Sequence, residues 1–229
     1  MLENAIPIFK KLIQISNSAI IEYPKTVLTN DHSIIAAINL DEIGEENFEK
    51  FGIYNLSQFL SLVDYFGEEV IIEKDDANII ISNNKLKQVY ETTSINLLEK
   101  FSVKADIFEK VKSVDTCVYF DLNSEDLKHI KKISSILGHT DLVVDTKNKN
   151  LVITTLDAND NFQNPNYHPI EIDTNEESLF VFDLLNINKI PEGNYEFHIK
   201  RNPKTNNPIA YLKNIEESFE LILSIKKEI

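Results

Sequence analysis

Of 229 residues, one is a cysteine and five are glycines. A lone Cys117 excludes an internal disulfide and a cysteine-rich zinc site, and such thrift fits a reducing compartment. The few glycines form no nucleotide loop: neither GxGxxG nor GxxxxGK followed by Ser or Thr occurs. No window approaches the roughly 20 apolar residues of a membrane span. The start, MLENAIPIFKK, carries acid before its apolar turn and lacks the basic region and cleavage site of a signal peptide. Arg201 is the sole arginine. Bases are scarce altogether: 37 acids against 23 Lys and Arg give a net charge of −14. That mean field repels phosphate, so nucleic-acid contact requires a local basic face hidden in the average.

What is present is apolar and strand-rich. Hydrophobic residues make up 42%, enough for a sizeable core, and the length suits one or two domains. Strands are expected at 19–23, 33–40, 69–74, 78–82, 86–91, 116–122, 141–145, 151–156, 179–183, 194–200, 208–213 and 217–226. Asn30-Asp31, Asn83-Asn84, Lys147-Asn148-Lys149 and Gly193-Asn194 mark turns between them. Helical spacing appears at 5–17, 56–66, 125–137 and 184–190. Two helices among many strands in each half give an α+β class.

The halves resemble each other. Lys10-Lys11 sits where a helix leads into a strand, and Lys131-Lys132 does so 121 residues later. A second block, helix–glycine–strand, recurs at Gly67 and Gly193, an offset of 126. Matching blocks in one order point to a duplicated domain, although such patterns also recur by chance. The expected division is 1–100, a linker at 101–113, and 114–229. The join, near 96–113, has no Pro/Gly signature.

The helix faces are unusual for so acidic a chain. At about 100° per residue, Lys128, Lys131, Lys132 and Ser135 share one face, opposite Leu127, Ile130, Ile133 and Leu137. Ser124 is the expected N-cap, and Gly138 suits the C′ position. In 5–17, Lys10, Gln14 and Asn17 oppose Ala5, Ile8, Phe9, Leu12 and Ile13, with Lys11 at the edge. Ser57, Gln58 and Ser61 form the polar face of 56–66, and Asn186 and Lys189 that of 184–190. Any single lysine here could be simply solvated. Yet on 125–137 the acids sit only at the N-terminus, so the lysines are expected to stand unpaired; a polyanion against that face would relieve their repulsion.

The chain resembles the sliding clamps (DNA polymerase processivity factors) of T-even-type bacteriophages. The resemblance is carried by Ile53-Tyr54-Asn55-Leu56-Ser57-Gln58-Phe59-Leu60, by Lys132-Ile133-Ser134-Ser135-Ile136-Leu137 with the strands 141–145 and 151–156, and by Pro191-Glu192-Gly193-Asn194-Tyr195. It runs co-linearly along nearly the whole chain. Two departures are an extended loop at 158–168 and a linker without the prolines associated with that family. The resemblance implies two similar clamp-type domains, each with two helices on a curved antiparallel sheet, assembled as a homotrimeric ring with a basic lining. It further implies a non-enzymatic protein without cofactors that encircles duplex DNA in the cytoplasm of an infected bacterial host. Its partners would be a DNA polymerase and a clamp loader, with no membrane. The residues it turns toward DNA are Lys10, Lys11, Gln14, Lys128, Lys131, Lys132 and Lys189, with Arg201 outside the hole. A partner peptide would dock near the linker, where Ile107, Phe108 and Val111 offer apolar anchors.

Nothing in the residues requires catalysis. His32, His129, His139, His168 and His198 have no metal-ligand spacing, and Cys117 reads as a small buried hydrophobe within a strand. Glu68-Glu69 and Asp75-Asp76 are acid pairs of the kind that arise by chance among 37 acids. Two rival classes remain: an acidic β-rich viral structural or assembly protein, and a metal-dependent nuclease. The first would not confine lysines to helix faces in both halves; the second would act with Mg²⁺ alone.

Overall fold

The computed structural model describes residues 1–29, 32–67, 69–147, 151–157, 166–170, 177–202 and 205–228. The turn expected at Asn30-Asp31, Asn148 and Lys149 of the turn expected at 147–149, Glu68, and 158–165 of the extended loop lie outside them. The chain divides into two compact units, Met1–Ile107 with Glu217–Phe219, and Phe108–Glu216 with Glu220–Ile229.

Unit 1 runs α1 (Ile6–Leu12), β1 (Ala19–Ile21), β2 (Lys25–Thr29), β3 (Ile34–Asn39), β4 (Phe51–Ile53), α2 (Leu56–Phe66), β5 (Ile71–Asp75), β6 (Asn78–Ser82), β7 (Lys87–Glu91) and α3 (Ile95–Leu98). Then α4 (Asp106–Lys112) crosses the boundary between the units. Unit 2 runs β8 (Thr116–Leu122), α5 (Ser124–Leu137), β9 (Asp141–Asp145), β10 (Leu151–Leu156), β11 (Asn166–Ile170), β12 (Leu179–Asp183), α6 (Leu184–Lys189), β13 (Tyr195–Arg201), β14 (Pro208–Asn214), β15 (Phe219–Ser224) and β16 (Lys227–Glu228).

The duplication is visible in the strand order. Strands β4-β1-β2-β3 of unit 1 match β12-β9-β10-β11 of unit 2, and β5-β6-β7 match β13-β14-β15. The pairings within these sets are antiparallel. Unit 2 adds β8 against β13, and β16 against β12.

Period-two burial builds the sheets. Ile79 and Ile81 of β6 are buried while Ile80 between them is not, and Tyr195, Phe197 and Ile199 of β13 alternate in the same way. In unit 2, Phe120 stacks on Phe197 at 4.6 Å and Phe182 meets Phe197 edge-on at 5.8 Å. Such pairs add about 1 kcal/mol each beyond their area. Helix α2 buries Leu56, Phe59, Leu60, Val63 and Phe66, and the Asn55 side chain caps it by accepting the Gln58 N–H at 2.9 Å.

Several local expectations shift. The helix expected over 5–17 stops at Leu12, because Asn17 serves the next helix: its main-chain oxygen accepts the Leu56 N–H at 2.7 Å, and its Oδ1 accepts the Ser57 N–H at 2.8 Å. The N-cap of α5 is Asn123, not Ser124; its side chain accepts the Asp126 N–H at 2.9 Å. Gly138 closes that helix left-handed, at φ 71°, as expected. Strand β11 takes the last three residues of the extended loop, through pairing with β10. Neither β2, β4, α3 nor α4 was expected. At β4 the cue was Gly52, where a Cβ would lie 2.5 Å from the Thr93 main-chain oxygen.

Candidate nucleic-acid interface

Helix α1 buries Ile6, Ile8, Phe9 and Leu12, which leaves Lys10 and Lys11 exposed. Neither is unpaired. The Lys10 ammonium meets Asp64 in the last turn of α2, and Lys11 meets Glu217. Gln14 is exposed but lies beyond the end of α1. Helix α5 buries Leu127, Ile130 and Ser134, so Lys128 and Lys132 stand out from the core. Lys128 pairs with Glu192, just past α6, at 3.0 Å. Among the described residues, no carboxylate pairs with Lys132.

Lys131 behaves differently. It is half-buried, and its ammonium donates to the main-chain oxygens of Asn188, at 3.2 Å, and of Ile190. Burial pushes its pKa below the usual lysine range, against an opposing pull from Glu192. A cation at the C-terminal carbonyls of α6 also suits that helix's dipole. Lys189 is half-buried in the last turn of α6, and Asn186, expected on the polar face, is buried instead.

The expectation that the lysines of 125–137 stand without partners is therefore corrected for Lys128 and Lys131. Their partners come from another element, 64 and 57 to 59 residues away, so same-helix spacing could not reveal them. The missed residues are Asp64, Glu192 and Glu217. The one available signal for two of them was position: each stands just before the glycine that ends the second block, Gly67 or Gly193.

The apolar anchors near the linker also move. Ile107 is half-exposed, but Phe108 is fully buried and Val111 is 8% exposed. These two are core side chains and present no surface to a peptide. Helix α4 is held in unit 2 by polar contacts as well. Lys112 pairs at 2.7 Å with Glu220, which also accepts the Tyr211 hydroxyl at 2.8 Å. Lys200 donates to the main-chain oxygens of Lys112, at 3.3 Å, and Val114, at 2.6 Å. Arg201 is committed within the chain: it pairs with Glu228, Nη1 to Oε2 at 2.9 Å, and lies 5.6 Å over the Phe180 ring.

Cys117 is half-buried rather than buried, with Sγ 3.1 Å from the Ile199 main-chain oxygen. His139 Nδ1 lies 2.9 Å from Thr155 Oγ1, and His198 Nδ1 lies 3.3 Å from Thr116 Oγ1. The Tyr119 hydroxyl donates to Asp121 at 2.7 Å, which pushes its pKa up to about 12. Among the described residues, no three His, Cys, Asp or Glu are grouped to hold a metal ion. No helix of the described residues is long and apolar enough to cross a membrane.

A unit of two helices and two antiparallel strand sets, used twice in one chain, is the sliding-clamp fold. Solved structures share it. Proliferating cellular nuclear antigen of Entamoeba histolytica matches with a TM-score of 0.68 at 17% identity, covering 98% of this chain and 95% of that one. The DNA polymerase sliding clamp of Caulobacter crescentus also matches at 0.68, with 12% identity, over 98% of this chain but 63% of its own. In sequence, the chain is 24% identical over 177 residues to the sliding clamp of Vibrio phage KVP40, 77% of each protein. No protein-family model matches the chain.

Proposed function

We propose that the chain is a DNA sliding clamp, which encircles duplex DNA and tethers the replicative polymerase to raise its processivity. One observation carries the reading: in a chain of net charge −14, both copies of the unit place lysines on the outward face of their first helix. Lys10, Lys11, Gln14, Lys128, Lys132 and Lys189 face the duplex, and Lys131 holds α5 to the end of α6. A ring is linked to its duplex by topology, so weak, screened contacts to phosphate suffice and tight ones would hinder sliding. Lysine, a flexible point charge, suits contacts that must be made and released.

The assembly is a homotrimer, six units around the duplex, with the two domains of each chain joined through 101–113. The chain matches the Entamoeba clamp over 95% of that chain, against 63% of the longer bacterial one, so its length is that of the former. A head-to-tail contact closes such a ring when its rotation is right. Its partners are a DNA polymerase and a clamp loader inside an infected bacterium, and the ring itself catalyses nothing. The test is processive synthesis with the cognate polymerase and loader. Lys128→Glu with Lys132→Glu should shorten products sharply, most of all at raised salt. Equal loss after reversing Lys85, Lys87 and Lys147 would leave only general electrostatics.

A further inference from the structure

Three of the lysines assigned to the duplex, Lys10, Lys11 and Lys128, already have anionic partners, and in each unit one of those partners comes from the second helix block. In unit 1 the acid is Asp64, three residues before Gly67, reaching back from α2 to Lys10 on α1. In unit 2 it is Glu192, one residue before Gly193, reaching back from the exit of α6 to Lys128 on α5. Glu217 holds Lys11 in the same way. The Asp64 and Glu192 side chains are 58% and 64% exposed, so neither pair is sealed from an incoming ion.

We infer that Asp64 and Glu192 are resident competitors of the DNA phosphates, which keep the clamp's grip on the duplex weak and exchangeable. This rests on the sliding-clamp reading above. An exposed ion pair is worth little, so a phosphate can displace the carboxylate at small cost. The displaced carboxylate stays within a few ångströms and recaptures the ammonium when the phosphate moves on. Each step along the duplex then exchanges one anion for another at Lys10 and Lys128. The carboxylate also repels the phosphate, which lowers affinity further. Arg201, the only side chain able to grip phosphate with two prongs, is held away from this role by Glu228.

The experiment measures binding of the whole protein to a short duplex by fluorescence anisotropy across a salt series, comparing the parent with Asp64→Asn/Glu192→Gln. Circular dichroism and native mass confirm that fold and assembly are unchanged. Affinity should rise about two- to fivefold for each lysine freed, the range an exposed ion pair is worth. Log affinity should fall more steeply with log salt, by up to about 0.9 per phosphate newly contacted. Diffusion of the loaded ring along DNA should slow. The control Glu49→Gln/Glu99→Gln removes the same charge from the pairs Lys74–Glu49 and Lys50–Glu99, which lie off the two helix pairs. An unchanged affinity in the first variant, or an equal rise in both, overturns the inference. If Lys128→Glu/Lys132→Glu weakens binding while the acid variant does nothing, only this inference fails. If neither variant changes binding, the sliding-clamp reading fails with it.

Discussion

The two lysine-bearing helices, α5 and α1, are entered differently. β8 leads into α5, whereas the chain enters α1 from residues 1–5, which form a turn and no strand. The entry to α1 is held by one carboxylate. Buried Glu45 accepts the main-chain N–H groups of Leu2 at 2.6 Å, Asn4 at 2.8 Å and Ala5 at 3.3 Å. The helices differ to match. α5 has 14 residues, acids in its first turn, an Asn cap and a left-handed glycine stop; α1 has seven residues and no side-chain cap at Ala5. A seven-residue helix is unstable alone. Helix α5 therefore carries its end signals locally, whereas the start of α1 depends on a contact some 40 residues away.

That contrast can be broken from either side. The largest effect should follow Phe197→Ala, which empties the aromatic cluster of unit 2 and should lower stability by about 3–5 kcal/mol in urea unfolding. Next comes Glu45→Ala. It strands the Leu2 and Asn4 N–H donors at the entry to α1, while the Ala5 N–H keeps the Leu2 main-chain oxygen at 3.1 Å, and should remove roughly 2–4 kcal/mol, with the amide exchange of residues 2–12 rising first. Asn123→Ala should cost only about 1 kcal/mol, since α5 keeps its other end signals. If Glu45→Ala proves no worse than Asn123→Ala, the proposed difference between the copies is wrong.

A smaller effect concerns pH. Burial, the neighbouring Lys200 and, last, Lys213 hold the His198 pKa below its ordinary 6.5, against pulls from Glu196 and Asp121. The unfolded chain then binds this proton first as pH falls. His198 thus contributes stability that is present above about pH 6.5 and is lost as pH drops through the window below it. His198→Gln should flatten that part of the stability profile. Smallest of all, Lys128→Glu/Lys132→Glu should move stability by roughly 0.5 kcal/mol per site or less, because both substitutions sit on an exposed face. Thermal melts of that variant at low and high salt would show whether its effect on processivity is separable from folding.

The class, the duplication and the apolar faces were all legible in the residues. Period-two runs such as Asn78–Ser82 and the apolar stripe of α2 state their burial directly, because one chemical choice repeats at the period of the element. Two of the short elements were not legible. β4 has three residues and α3 four, too few for any period to appear. Phe108 and Val111 read as apolar at helical spacing, which fits a docking surface and a core alike, and burial alone separates the two.

The lysine face divides along the same line. The sequence by itself determined that cations gather on the first helix of each copy, because residues at i, i+3 and i+4 must share a side. It could not assign them separate tasks. Lys131 and Lys132 are neighbours in the chain, yet one is folded onto the carbonyls that end α6 and the other stands in solvent. Nor could it show that Lys10 and Lys128 carry carboxylates from the other helix block of their own unit. Those facts depend on where elements remote in sequence come to rest. An ion pair or a helix cap forms at about 3 Å, a separation that tertiary packing sets.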